Sequence, residues 1–334
     1  MIAAAGLDRL IGDPLWTPPP VVWMGRCIST LRRSVEHWSG EHPQWLRLGG
    51  LAITLVLTLG SASIGWLIER SALHTHGVLQ SVALLALVAG LASALAARSL
   101  EQSVLNVIAA LPCEGGDDLS AAREKLSWIV GRDTASLSGD EILRASAETA
   151  SENAVDGLFA PLFWMLVGAT LWSLGLTEGP GPLALAWGFK AASTLDSMLG
   201  YRRGTLRWLG TAGARLDDLL TWLPCRLVML SLPLVSRPWR QWPALVRSAE
   251  SDGQHDASPN AGRSEAIYAH CAGVQLGGRN RYGDRWVDKR LLGADQPKAD
   301  PQGISRIVAL TQRLELLWIL IAALLSCGLQ AGAQ

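Results

Sequence analysis

Residues Gly49–Ile68 read GGLAITLVLTLGSASIGWLI, a stretch without a single charge. An α-helix of about 20 apolar residues crosses the hydrocarbon core of a bilayer, where charges are rare. The stretch therefore predicts a membrane-spanning helix. Val78–Ala97 and Leu158–Thr177 are of the same kind. A fourth span is expected from Ile304–Glu315 continued by Leu316–Leu329, with Arg313 and Glu315 near one interface, where long side chains can reach water. Pro182–Tyr201 is apolar but contains Lys190 and Asp196, and Leu219–Ser236 contains Arg226, Pro224 and Pro233. Each of these either spans or enters and leaves on one side, because prolines and charges at membrane depth need protein or a cavity around them. The expected fold class is mainly α: a polytopic integral membrane protein with about four to six membrane-embedded helices. Residues 1–334 form one membrane domain in this reading, with polar segments at 98–157 (helical) and 237–305 (a loop segment).

Composition agrees. Hydrophobic residues make up 49% of the 334-residue chain and charged residues 17%, with a mean hydropathy of +0.23; soluble domains carry about 25% charged residues. Lys and Arg (29) balance Asp and Glu (29), which removes the electrostatic footprint of a nucleic-acid binder. Trp outnumbers Tyr and Phe, 15 to 3 and 3, and Trp favours the headgroup zone of a bilayer. Cys27, Cys113, Cys225, Cys271 and Cys327 are scattered, with no CxxC spacing, and read as reduced, mostly buried thiols. No cleavable signal peptide is expected at the N-terminus.

The positive-inside rule sets the topology. Arg26, Arg32, Arg33 and Arg47 precede the first span; Arg98, Arg123, Lys125, Arg132 and Arg144 follow the second; Arg263, Arg279, Arg281, Arg285 and Arg290 lie within 237–306. All three regions should be cytoplasmic. An even number of crossings must then separate Asp156 from Arg237, so one of the three apolar segments there is incomplete. Leu219–Ser236 is expected to be that one, because its prolines break a helix.

Four polar clusters carry candidate chemistry. Ser138 and Glu141 form a capping-box pattern that should open a helix from Gly139 to about Val155. On it Glu148, Glu152 and Asp156 recur every four residues, beside Asn153, close to one face. Like charges at this spacing destabilise a helix by a few tenths of a kcal/mol, and oxygen-only ligands suit Mg²⁺; a solvated acidic face fits the same spacing. Lys190, Thr194 and Ser197 share a face of a second helix, with Asp196 adjacent; an ionisable pair in an apolar stretch is either functional or a structural ion pair. Arg215-Leu216-Asp217-Asp218 offers one aspartate to a site, or only a surface turn. Ser258-Pro259-Asn260-Ala261-Gly262 should turn into a helix near Arg263–Gly273. The glycine-rich run Gly277-Gly278-Arg279-Asn280-Arg281-Tyr282-Gly283 reads as a loop able to cradle phosphate, or as an ordinary turn. No Walker, GxGxxG, HExxH or GxSxG pattern is present.

Taken in order, these blocks resemble the CbiB/CobD family of cobalamin biosynthesis, the adenosylcobinamide-phosphate synthases, over nearly the whole chain. The matching residues are Leu7-Asp8 through Gly12-Asp13-Pro14, Pro20 through Gly25-Arg26, Gly131-Arg132-Asp133-Thr134, Glu148 through Asp156-Gly157 with Ala160-Pro161, Lys190 through Tyr201, Ala214 through Asp218, Ser258 through Gly262, and Leu276-Gly277-Gly278. Two departures stand out: only Met1–Leu7 precedes the first block, where the family often has a longer apolar helix, and Ala192-Ser193 replaces a Val-Asn type pair.

The resemblance implies an ATP-dependent amide synthesis joining adenosylcobyric acid to (R)-1-amino-2-propanol O-phosphate or a related amino-alcohol phosphate. Mg²⁺ accompanies ATP as cosubstrate and the corrinoid is substrate. On that reading Glu148, Glu152 and Asp156 hold Mg²⁺ or deprotonate the amine, Lys190 meets the transferring phosphoryl group with Asp196 orienting it, and Asp217 or Asp218 supplies a further metal ligand. Asn260, Arg279 and Asn280 bind phosphate or a corrin amide. The expected setting is a bacterial inner membrane with the site on its cytoplasmic side, in a homo-oligomer or beside neighbouring corrinoid-pathway enzymes. A membrane transporter or a noncatalytic scaffold of the same pathway is the alternative.

Overall fold

A computed structural model describes residues 1–12, 18–112, 118–236, 239–282 and 285–332. Asp13 and Pro14 of the first family block, Cys113, Arg237 and Gly283 lie outside the described residues, as do the side chains of Arg285 and Cys327. In chain order the helices are α1 (Ile2–Ile11), α2 (Pro20–Ser39), α3 (Pro43–His74), α4 (Gly77–Ala92), α5 (Ala97–Ala109), α6 (Ser120–Ser127), α7 (Gly139–Ala154), α8 (Ala160–Ser173), α9 (Pro182–Leu199), α10 (Leu206–Leu209), α11 (Thr211–Ser236), α12 (Trp242–Gly253), α13 (Ala261–Ala272) and α14 (Pro301–Gly332). One antiparallel hairpin, β1 (Leu276–Tyr282) with β2 (Arg285–Leu292), interrupts them.

Among the described residues five runs are long and apolar enough to cross a membrane: Pro43–His74, Gly77–Ala109, Gly139–Ser173, Thr211–Ser236 and Pro301–Leu324. The division of α3 into two faces shows why. Leu46, Gly50, Thr54, Leu57, Ser61, Gly65 and Glu69 are buried at three- and four-residue spacing, while Leu51, Leu55, Val56, Leu59, Ile64 and Leu67 are exposed. The same outward leucine and valine pattern marks α4 (Val78, Leu79, Val82, Leu85) and α14 (Leu316, Leu320, Leu324). Apolar area of this extent is disfavoured in water and at home in lipid. The chain is a mainly α, multi-pass membrane protein.

Two expectations are corrected here. Leu219–Ser236 is not broken by its prolines: Pro224 and Pro233 both lie inside the continuous helix α11, which is long enough to span. Pro224 has no N–H to give Leu220 O, but the indole Nε1 of Trp164 donates to that carbonyl at 3.2 Å. A side chain from α8 thus makes good the lost helical bond, as membrane prolines require. Pro182–Tyr201 forms the 18-residue helix α9 and is the one of the three apolar segments that is not span-competent. The second correction concerns Gly277–Tyr282, which is strand and not loop. Gly277 and Gly278 (φ 81° and 96°) form a bulge in β1, and Gly277 packs against Arg290 O of β2. From Gly278 to Tyr282 the backbone follows the ladder, so it is not available as a phosphate nest.

The chain divides into two compact units. Unit 1 comprises residues 1–96, 156–221 and 319–334; unit 2 comprises 97–155 and 222–318. In unit 1 the core is Met24, Ile28, Leu46, Ile53, Leu57, Ala191, Leu195, Leu199 and Leu209. Small residues bring its backbones close: a Cβ on Gly65 would stand 2.9 Å from the Ala184 backbone of α9. In unit 2, Val107, Ala122, Leu126, Leu137, Ile142 and Ala145 join α5, α6 and α7, and α12, α13 and the hairpin pack together.

Candidate functional site

In unit 2, α7 opens on the expected capping box: Ser138 N–H donates to Glu141 Oε2 (2.8 Å) and Glu141 N–H to Ser138 Oγ (3.4 Å). The next turns place Arg144 and Glu148 against β1. Glu148 is 1% exposed, yet both of its oxygens are engaged. Oε1 accepts from Arg144 Nη1 (3.0 Å) and from Gly277 N–H (2.9 Å), and Oε2 accepts from Arg132 Nη2. Arg132 Nη1 donates to Asn280 Oδ1 (2.6 Å); Arg144 also donates to Gly277 O (2.7 Å) and Arg279 O (3.0 Å). The arginines and the carboxylate fasten the hairpin to α7. A carboxylate held this way serves as a positioning group, since removing one member strands buried charge. Asn280 and Arg279 then fall on opposite faces of β1: Asn280 is buried, with no hydrogen-bond partner for its Nδ2, while Arg279 is exposed and stacked 4.5 Å over Trp286.

A second set of charges lies where α12, α13 and β2 meet. Lys289 Nζ is 3.2 Å from Glu265 Oε1 and 3.4 Å from Asp256 Oδ2. Glu152 is within electrostatic reach of Lys289, Asp256 and Glu148. Burial pushes the Glu265 carboxyl up to about 8; Lys289 opposes this, and Glu148, Glu152 and Asp256 reinforce it. Burial alone would lower the Lys289 ammonium, but Glu265, Glu152, Asp256 and Glu148 outweigh it and hold it above the ordinary lysine value. Nearby, Asp252 Oδ2 pairs with His270 Nε2 (2.9 Å) and accepts Gly293 N–H (3.0 Å). A cavity of about 250 Å³ opens here, lined by Asp252, His255, Asp256, Glu265, Lys289 and Arg290 among others.

Asn260 precedes α13 as the expected turn and is also buried. Its Oδ1 accepts from Arg226 Nη1 (2.5 Å), and Arg226 Nη2 donates to Pro259 O (3.0 Å). Arg263 holds the same turn, donating to Pro259 O and bidentately to Glu250 (2.8 and 2.6 Å); those bonds keep the Glu250 carboxyl below its ordinary value.

Unit 1 holds the other candidates. Lys190 and Asp196 are half-buried on α9, where Thr194 Oγ1 donates to Lys190 O (2.7 Å). Asp156 lies in a π-helical turn, Val155–Phe159, a form of backbone common at functional positions. Asp217 is buried and Asp218 half-buried on α11. Glu69, which no motif flagged, is fully buried on α3. Its carboxylate accepts the N–H groups of Gly181 (2.9 Å), Leu183 (2.6 Å) and Ala184 (3.2 Å), capping the helix that carries Lys190.

The sequence-based candidates therefore fall in two sets. Glu148, Glu152, Asn260, Arg279 and Asn280 belong to unit 2; Lys190, Asp196, Asp156, Asp217 and Asp218 belong to unit 1. Lys289, Asp256 and Glu265 were missed as site residues, although Glu265 lies three residues beyond the Ser258–Gly262 block. Among the described residues no three His, Cys, Asp or Glu side chains form a ready metal cage.

A family model described as CobD/Cbib protein matches residues 1–311. The chain belongs to the CobD/CbiB family. It is 42% identical over 335 aligned positions to the cobalamin biosynthesis protein CobD of Synechocystis sp., covering 99% of this chain and 92% of the relative. It is 37% identical to the CobD of Klebsiella pneumoniae subsp. pneumoniae (98% and 94% covered) and 35% identical to the cobalamin biosynthesis protein CbiB of Salmonella typhimurium (98% and 97%). No solved structure matches. Membership places the chain among proteins of cobalamin biosynthesis, and the CobD/CbiB pattern extends over both units.

Proposed function

We propose that this CobD/CbiB protein is an ATP-dependent amide synthase that joins adenosylcobyric acid to (R)-1-amino-2-propanol O-phosphate, or a related amino-alcohol phosphate, giving adenosylcobinamide phosphate. The observation that carries this is the family match across residues 1–311, which includes every block containing the candidate residues. The chemistry asks for three services. A carboxylate resists attack by an amine until activated; ATP converts it to an acyl phosphate with release of ADP, the amine nitrogen then bonds to the acyl carbon, and phosphate leaves. Cations must spread the phosphoryl charge, and a base must take the proton of the ammonium. Lys190, with Asp196 six residues further along α9, is the cation proposed for the phosphoryl group. Bound with the nucleotide, Mg²⁺ neutralises phosphate charge and takes one or two carboxylates besides phosphate and water. Asp156, Asp217 and Asp218 of unit 1, or Glu152 of unit 2, are the carboxylates proposed for it; Glu148, held by two arginines and the Gly277 N–H, is proposed as a positioning group. On opposite faces of β1, the exposed Arg279 guanidinium suits a phosphate and the buried, partnerless Asn280 Nδ2 an amide carbonyl.

The reading places the protein in a bacterial cytoplasmic membrane with its polar segments inside. The test is direct. Detergent-purified protein is given adenosylcobyric acid, the amine phosphate, ATP and Mg²⁺. Amide product equimolar with ADP is expected. Substrate uptake into proteoliposomes without product would establish a transporter instead.

A further inference from the structure

The cavity at Glu265 carries more positive-seeking surface than its own cation satisfies. Glu265 is 1% exposed and lines the cavity. Its Oε1 is on Lys289, but its Oε2 has no hydrogen-bond partner. Lys289 is shared with Asp256 and stands within reach of Glu152 as well, so one ammonium serves three carboxylates. A buried carboxylate oxygen without a donor is unfavourable and points to a ligand that brings one. At the rim His255, Asp288 and Arg290 line the cavity and are exposed, with Arg290 Nη2 3.8 Å from Asp252 Oδ1. Buried carboxylates within and the Arg290 guanidinium at the mouth complement a molecule with an ammonium at one end and an anion at the other.

Two cationic ligands compete for such a place, an ammonium and a divalent metal ion. Mg²⁺ demands near-octahedral oxygens at about 2.0–2.1 Å. Glu265 and Asp256 are already spread around Lys289, at 3.2 and 3.4 Å, which leaves Glu265 Oε2 as the oxygen without a donor. One N–H of an ammonium satisfies that oxygen, whereas a divalent ion would need several further oxygens around it. The cavity's size fits a small molecule, since about 250 Å³ is below the range of roughly 300–1,000 Å³ that drug-sized ligands occupy.

We propose that the cavity formed by α12, α13 and β2 binds the amino-alcohol phosphate, with Glu265 receiving its ammonium, Lys289, which it shares with Asp256, holding Glu265 in place, and Arg290 and His255 meeting its phosphate. This rests on the amide-synthase reading for the identity of the ligand. It assigns the amine substrate to unit 2 and makes Glu265 the carboxylate that contacts the reacting nitrogen.

Calorimetry on the full-length protein in detergent, without ATP or corrinoid, tests it with (R)-1-amino-2-propanol O-phosphate, with propane-1,2-diol phosphate, which lacks the ammonium, and with Mg²⁺ alone. The wild type should bind the amine phosphate at least tenfold more tightly than the diol phosphate. Glu265→Gln should remove that preference while leaving diol phosphate binding unchanged, and in the full reaction should raise KM for the amine but not for ATP. Should Glu265→Gln fail to fold, Glu265→Asp, which keeps the charge but withdraws it by one methylene, carries the same comparison with a smaller loss. Unchanged amine phosphate affinity in the folded variant overturns the assignment, as does binding of Mg²⁺ alone that Glu265→Gln abolishes. If the wild type makes the amide and the variant keeps its KM, this site assignment fails alone. If the wild type binds the amine phosphate through Glu265 yet makes no amide, the synthase reading fails and the site stands.

Discussion

The indole N–H of Trp164 donates to Leu220 O, the carbonyl that Pro224 leaves without its helical partner. This bond lets a proline-containing segment run on as the continuous helix α11. Trp164→Phe keeps most of the apolar bulk and removes the donor. In a buried setting the uncovered carbonyl costs about 1–3 kcal/mol, so the melting temperature in detergent should fall. Adding Pro224→Ala supplies Leu220 O with a backbone N–H again. The double variant should therefore melt above Trp164→Phe, and a double-mutant cycle should give a coupling energy. Additive effects of the two changes would show that the indole bond does not serve this purpose.

Glu148 and Glu152 sit one turn apart on α7, but their surroundings differ. Glu148 faces Arg132 and Arg144, and its removal leaves two half-buried guanidiniums without their shared carboxylate. Breaking a buried pair from one side costs about 3–5 kcal/mol. Glu148→Gln should lower stability, loosen the hairpin to protease and reduce activity in proportion to folded protein, with no change in the Mg²⁺ concentration for half activity. Glu152→Gln should stay folded and shift that concentration upward. A Mg²⁺ titration of both variants at matched folded protein decides between these roles, and an upward shift in Glu148→Gln alone would return Glu148 to the metal.

Much of this was legible in the sequence and some was not, for physical reasons. Long uncharged runs announce spans because nothing else tolerates so much apolar surface, and the Ser138/Glu141 box marked the start of α7 because capping is local chemistry. The proline reading of Leu219–Ser236 failed because the compensating donor, Trp164, is 56 residues distant from Leu220 in the chain. The Gly277–Tyr282 run was read as a loop because two glycines usually signal one; here they make a bulge against β2, and a partner strand cannot be seen in a local window. Lys289 and Asp256 were passed over for a similar reason. Alone each is an ordinary polar residue, and only the fold sets them beside Glu265.

Glu69 shows what a buried carboxylate in a span can do without chemistry. It takes the N–H groups of Gly181, Leu183 and Ala184 at the start of α9. Hydrogen bonds to a charged acceptor contribute about 1.5–3 kcal/mol each. Glu69→Ala should fray the first turn of α9, seen as faster amide exchange at Leu183 and Ala184 than at Ala191. Activity should fall as well, because α9 carries Lys190. Unchanged exchange at those amides would mean that water or another group caps the helix equally well.

The last prediction follows the Glu265 carboxyl with pH. Its ordinary value is 4.5, and in the folded protein it is raised to about 8. The groups that set this are burial first, then Lys289, which favours ionisation, and Glu148, Glu152 and Asp256, which oppose it. A group raised on folding binds its proton more tightly in the native state than in the unfolded one. Its contribution is therefore fully present below pH 4.5 and is lost as pH rises toward 8. The loss across that window is on the order of a few kcal/mol. Lys289 stays charged throughout, because its own value is held above the ordinary lysine range. The detergent-solubilised wild type should thus lose melting temperature steadily from pH 5 to pH 8, and Glu265→Gln, which has no proton to lose, should show a flatter profile and melt above wild type at pH 8. An ammonium ligand favours the ionised carboxylate, so its affinity for wild type should rise over the same interval. Parallel melting profiles for wild type and Glu265→Gln would show that Glu265 titrates at an ordinary value.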